Sequence, residues 1–121
     1  LWRDGQLVQL SHDHSYVEEL IAGGVITREQ ARTHPHRNVV TQALGVTDPN
    51  HLNVETMTGE LRPGMQLLLC SDGLTGELLD EEIRALIDDA DTLEDALEKL
   101  IGAALWRGGR DNITAVLVRI P

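Results

Sequence analysis

The sequence predicts an α+β fold. Two amphipathic stretches, opening at Asp80 and Thr92, follow one another with no strand between them. Two apolar runs, 65–70 and 113–118, lack helical spacing and read as strands. Helices and strands are therefore grouped rather than alternating, which argues against a wound α/β sheet.

Taken in order, Arg3-Asp4-Gly5-Gln6 reads as a tight hairpin turn, because Asp-Gly tolerates the positive φ angles that two-residue hairpins need. The outgoing strand is expected over 6–10, whereas the incoming arm is only Leu1-Trp2. So short an arm implies that the chain starts inside a structural unit, as a fragment or as a sheet edge that pairs with another chain. A helix is expected over 15–22, where Val17, Leu20 and Ile21 share one face and Gly23 ends it. Thr27-Arg28-Glu29-Gln30 fits a capping box. The helix it starts should stop by Thr33 or His34, because Pro35 disfavours helical geometry at the residue before it. A third apolar stretch, 39–44, ends at Gly45.

Asp48-Pro49-Asn50 is a turn, 52–57 alternates like a strand, and Glu60-Leu61-Arg62-Pro63-Gly64 turns into the run 65–70. The nearly unbroken apolar character of 65–70 predicts a central strand covered on both faces, and 113–118 reads the same way. Asp80 is placed to cap the first of the paired helices, with Ile83, Leu86 and Ile87 inward. Thr92 is placed to cap the second, whose stripe is Leu93, Ala96, Leu97, Leu100, Ile101 and Ala104, and Gly108 or Gly109 closes it.

Composition narrows the classes of function. A chain of 121 residues makes one domain at most, long enough for a real core. Twenty acidic residues against ten basic ones leave a formal charge of −10, which argues against nucleic-acid binding. The same field would repel phosphorylated substrates unless bound cations reversed it locally. No apolar run approaches the roughly 20 residues of a membrane span. The single cysteine, Cys70, excludes an internal disulfide and fits a reducing, cytoplasmic setting. Because it ends an apolar strand, Cys70 is expected to be a packed core residue.

Two short acidic motifs are the candidate chemistry. Leu67-Leu68-Leu69-Cys70-Ser71-Asp72-Gly73 and Gly108-Gly109-Arg110-Asp111-Asn112 each put an aspartate where an apolar strand meets a glycine-containing turn. Two carboxylates brought together repel unless a cation lies between them, and hard divalent ions such as Mg²⁺ and Mn²⁺ take such oxygen ligands. The residues alone leave simple turn chemistry open as an alternative, since Asp-Gly and Asp-Asn are common in turns. His12 with His14, and His34 with His36, would need a third or fourth ligand to hold zinc. Cys70 occupies the position where an aspartyl-nucleophile phosphohydrolase carries its nucleophile, and Gly108-Gly109 lacks the lysine and hydroxyl of a phosphate-binding loop. The acidic run 88–91 lacks calcium-loop spacing and reads as a solvated helix end.

Together these motifs resemble the metal-dependent protein serine/threonine phosphatases of the type 2C class, especially the bacterial branch. Leu67-Leu68-Leu69-Cys70-Ser71-Asp72-Gly73-Leu74 is similar to that family's central Ser-Asp-Gly motif, and Gly108-Gly109-Arg110-Asp111-Asn112-Ile113-Thr114 to its terminal Asp-Asn motif. Asp13-His14-Ser15, Gly24-Val25-Ile26-Thr27, His34-Pro35 and 38–45 follow the bacterial flap region. The family's first metal-binding Asp-Gly motif, its phosphate-holding basic residue and an aspartate for a third metal have no counterpart in these residues.

The resemblance implies that 1–121 is the C-terminal portion of a type 2C catalytic domain, with a flap over about 15–46. It implies part of a β-sandwich of antiparallel sheets flanked by antiparallel helix pairs. It also implies hydrolysis of phosphoserine or phosphothreonine by a metal-bridged water, with two or more Mn²⁺ or Mg²⁺ ions in the complete domain. Asp72 and Asp111 map to metal ligands, with Ser71, Gly73 and Asn112 beside them to orient the carboxylates. The remaining catalytic groups are expected in the missing N-terminal half. Glu18, Glu19, Arg28, Arg32 and Arg37 of the flap would bias which phosphopeptides enter. The expected partners are a phosphorylated protein substrate and a complementary N-terminal half or a swapped homodimer. The competing readings are a non-catalytic module that pairs through an exposed sheet edge, and a pseudophosphatase.

Overall fold

Asp4 and Gly5 adopt φ angles of 49° and 73° and turn β1 (Trp2–Arg3) into β2 (Gln6–Leu7), as the Asp-Gly pair requires. The computed structural model describes residues 1–121 and divides them into two units. The first is Leu1–Gln9 with Gly59–Pro121, and the second is Leu10–Thr58.

In the first unit, β1 and β2 join β3 (Gln66–Cys70) and β4 (Ala115–Arg119) in one antiparallel sheet of order β2-β1-β3-β4. The register pairs Leu68 with Leu117 and Cys70 with Ala115. Three helices follow β3: a short α3 (Asp72–Thr75), then α4 (Asp80–Asp88) and α5 (Leu93–Trp106). Leu74, Leu78, Ile83, Ile87, Ala96, Leu100, Ala104 and Leu117 form the core, with Trp2, Leu7 and Leu68 packed against it. The indole N–H of Trp2 donates to Asp88 Oδ1 at 2.7 Å, which ties the hairpin to the end of α4. Thr92 caps α5 by accepting from the Asp95 amide, as its residue type predicts.

Several expectations need correction. The outgoing arm of the hairpin is Gln6–Leu7, shorter than 6–10. Asp80 is the first helical residue of α4 rather than its cap. The Leu79 amide is satisfied instead by the Glu82 carboxylate at 2.8 Å. Neither β3 nor β4 is covered on both faces, for Leu69 is 59% exposed and Val116 and Val118 are exposed beside it. Cys70 is exposed as well, not a core residue. The helices supply one covering layer, on the Leu68–Leu117 face; an apolar run cannot disclose how many layers its own chain provides.

The second unit contains α1 (Tyr16–Ala22) and α2 (Arg28–Arg32). Ser15 caps α1 by accepting from the Glu18 amide at 3.3 Å. Thr27 and Gln30 form the expected capping box, each side chain accepting from the other's backbone amide. Val39 and Val40 meet the start of α1 through the Tyr16 amide and a bridge to Ser15. The strand expected over 52–57 does not form: alternation alone supplies no partner strand, and Val54 and Met57 stand exposed. His12 Nδ1 lies 3.2 Å from Glu55 Oε2, His14 contacts Gln42, and His34 and His36 cluster with the Tyr16 ring.

Candidate metal centre

The β3–β4 register brings the two acidic motifs side by side. The ladder runs to Cys70–Ala115 and continues through the Ser71 amide, which donates to the Thr114 carbonyl at 2.9 Å. Beyond that point the chain leaves β3 into α3 on one side and enters β4 from the Asp111-Asn112 turn on the other. Ser71 sits at the N-cap of α3 with extended geometry, yet its hydroxyl makes no cap bond. It donates instead to the Asn112 carbonyl and accepts from the Thr114 amide, both at 3.0 Å. One side chain thus links the motif carrying Asp72 to the motif carrying Asp111.

Gly73 is the second link. An added Cβ there would fall 2.2 Å from the Asn112 carbonyl oxygen and 3.4 Å from that of Asp111. Glycine at this position serves close approach of two backbones and not a left-handed turn, since Gly73 is absent from the positive-φ residues. Asp72 occupies the first position of α3, where its carbonyl accepts from the Gly76 amide at 2.7 Å. Asp111 Oδ1 accepts from the Asn112 amide at 2.7 Å. Both aspartates are exposed.

Approach to Asp111 from the helix side uses Gly108 and Gly109, whose φ angles of 139° and 52° reverse the chain after α5. Arg110 then meets Glu77: Nε donates to Oε1 at 2.8 Å, Nη2 to Oε2 at 3.0 Å, and the Arg110 amide to Oε1 at 3.3 Å. Those bonds hold the Glu77 carboxyl far below its usual range, at about 2. Arg107 braces the same corner by donating to the Glu77 carbonyl at 3.2 Å and pairing with the Glu82 carboxylate. Glu77 belongs to neither acidic motif. The available signal was a carboxylate between Leu74 and Leu78, where a nearly buried charge demands a partner.

The donor set suits a hard divalent cation in part. Two exposed carboxylates on locked, adjacent turns are oxygen ligands of the right chemistry. No group of three or more His, Cys, Asp or Glu side chains is gathered to hold a metal. Asp72 and Asp111 are two carboxylates of that kind, fewer than a complete ligand set. Shallow, open depressions lie beside Leu7, Asp80 and Arg84 and along Leu97, Ile101 and Leu105, and neither is lined by these aspartates. Of the flap charges, Arg28 pairs with Glu18 at 3.1 Å, while Glu19, Arg32 and Arg37 are exposed; all five lie in the second unit.

Comparison with known proteins places these features in context. The family model described as stage II sporulation protein E matches residues 22–121. Protein phosphatase PhpP of Streptococcus pneumoniae is 41% identical over 118 residues, covering 98% of this chain and 47% of the relative. Serine/threonine phosphatase stp of Listeria monocytogenes is 39% identical over 112 residues, covering 93% and 44% respectively. The S. agalactiae serine/threonine phosphatase structure superposes with a TM-score of 0.87 at 37% identity, over 98% of this chain and 48% of that one. A PstP catalytic domain in complex with two manganese ions superposes with a TM-score of 0.78 at 35% identity, over 95% and 46%. The chain spans about half the length of the curated relatives it matches.

Proposed function

On the premise that the chain belongs to the stage II sporulation protein E family, together with the type 2C serine/threonine phosphatases it resembles in sequence and fold, we propose that residues 1–121 form the C-terminal portion of a metal-dependent protein phosphatase domain. Its reaction is hydrolysis of phosphoserine or phosphothreonine in proteins. The observation that carries this reading is the locking of the Ser71-Asp72-Gly73 and Asp111-Asn112 turns through the Ser71 hydroxyl and the Gly73–Asn112 contact.

Asp72 and Asp111 would hold the cation, Mn²⁺ or Mg²⁺, from one side. Such ions, when bound, supply the Lewis acidity that activates an attacking water and stabilises the departing oxygen. This chain's own residues set the geometry. Ser71 and Asn112 fix the two turns relative to one another, and Gly73 permits their approach. Glu18, Glu19, Arg28, Arg32 and Arg37 would bias the choice of phosphopeptide. The remaining ligands come from an N-terminal half, whose sheet would also cover the open face bearing Leu69, Val116 and Val118. Two carboxylates leave most of an octahedral shell to water, so the 121 residues alone bind metal weakly and turn over little.

The test is Mn²⁺-dependent release of phosphate from phosphoserine and phosphothreonine peptides by the complete polypeptide that contains this chain. Asp72→Asn and Asp111→Asn should each lower the rate by about 100-fold or more, in line with loss of a metal-held transition-state interaction. Wild-type rates in both variants would refute the assignment. A second reading, a non-catalytic module pairing with a further copy through the sheet, draws on the same open face. It would be favoured by a stable dimer that lacks metal-dependent activity.

A further inference from the structure

We propose that Glu77 and Arg110 are positioning residues for the metal centre, forming a clamp that sets the separation of Asp72 from Asp111. The inference rests on the metal-site reading above.

Glu77 lies one turn beyond the start of α3, and its carboxylate is only 5% exposed. Its backbone is fixed to the Asp72 end of the segment through the Leu74 carbonyl, which accepts from the Glu77 and Leu78 amides at 3.2 and 3.0 Å. On the other side, Glu77 grips Arg110 three times, twice through the guanidinium and once through the backbone amide. The peptide after that amide leads directly to Asp111. A displacement of Arg110 would therefore swing the Asp111 carboxylate. The fork geometry fixes orientation as well as distance, which a single ammonium cannot do.

The clamp complements the Ser71 link. Ser71 joins the two motifs on the strand side, at Asn112 and Thr114. Glu77 joins them on the helix side, at Arg110. The Asp111-Asn112 turn is thus held at both ends against the segment that begins with Asp72. Stability alone is a poor explanation for a nearly buried carboxylate here. Apolar side chains of similar volume commonly serve a fold as well as a buried ion pair does. Arg110 is 67% exposed along its side chain, so it would remain hydrated if Glu77 were replaced.

The decisive measurement is the Mn²⁺ dissociation constant of the metal-stripped complete polypeptide by titration calorimetry, read beside its metal-free Tm. Glu77→Met removes the inner carboxylate while filling its volume, and Arg110→Lys keeps the charge but loses the fork. Both are expected to weaken Mn²⁺ binding by about 10-fold or more, the range typical of groups that orient metal ligands. The metal-free Tm of each variant reports what the ion pair itself contributes to stability, and Mn²⁺ affinity is compared at a temperature where every variant is folded. Lys99→Met, which breaks the ion pairs with Asp89 and Asp95 away from both turns, should alter Tm with Mn²⁺ affinity unchanged. Arg110→Lys, at a surface arginine, decides the matter should Glu77→Met not fold. Wild-type affinity in the clamp variants, with affinity lost in Asp111→Asn, would overturn the clamp and leave the metal reading standing. Equal loss of affinity in Lys99→Met would also overturn it, as general loosening. Wild-type affinity in Asp111→Asn would remove the metal reading and the clamp together.

Discussion

Gly73 and Asn112 touch backbone to backbone, so closely that a methyl group on residue 73 would sit 2.2 Å from the Asn112 carbonyl oxygen. Neither partner is the flexible end of a side chain, so the strand-to-helix turn or the Asp111-Asn112 turn must move. Gly73→Ala should destabilise the chain by about 1–3 kcal/mol, the usual cost of overpacking. Gly59→Ala, with open space around its would-be Cβ and no positive φ, should be neutral or stabilising by about 0.4–1 kcal/mol. Denaturant midpoints of the two variants provide the comparison. Equal midpoints would show that the contact is not tight in solution.

Ser71→Ala removes the hydroxyl that both donates to Asn112 and accepts from Thr114. The expected loss is about 0.5–1.5 kcal/mol per net bond. Amide exchange should accelerate at Thr114 more than within α5. Unchanged protection at Thr114 would mean that water replaces the hydroxyl without loss.

Acid should weaken the fold through Glu77. Arg110 lowers its folded pKa to about 2 from an ordinary 4.5. A carboxylate with a depressed folded pKa contributes stability that is complete above about 4.5 and disappears as pH falls toward 2. Tm should therefore fall over that interval in the wild type and fall less steeply in Glu77→Gln. Parallel profiles for the two proteins would show that the ion pair does not form.

The open face bearing Leu69, Val116 and Val118 gives the 121 residues a reason to associate. Sedimentation at rising concentration should show self-association, and Leu69→Glu with Val116→Glu should return the chain to a monomer. A wild-type chain that stays monomeric at every concentration would show that this surface tolerates water.

Local rules made much of this architecture readable beforehand. Asp4-Gly5, Thr27 and Thr92 each act within four residues of themselves, so their turn and caps follow from residue type. The inward stripe of α5 follows from spacing. The failures share a different cause. Whether Leu69 and Val116 are covered depends on a layer that is not encoded nearby, and an apolar residue looks alike in both cases. The segment 52–57 alternates correctly but has no strand to meet. The two acidic motifs stood out in the sequence and the fold sets them side by side, whereas Glu77 did not stand out. Its meaning depends on Arg110, 33 residues away, and on the return of the chain through Gly108 and Gly109.

The unit that carries Asp72 and Asp111 is discontinuous: it begins at Leu1–Gln9, breaks off, and resumes at Gly59–Pro121. The intervening Leu10–Thr58 is therefore a guest within a host. Lengthening or redesigning such a guest costs little in closure entropy, since that penalty grows only with the logarithm of loop size. Evolution or an engineer can thus exchange the guest while the host keeps Asp72 and Asp111 on their turns. The same layout exacts a kinetic toll, because β1 can meet β3 only after the whole guest has been looped out.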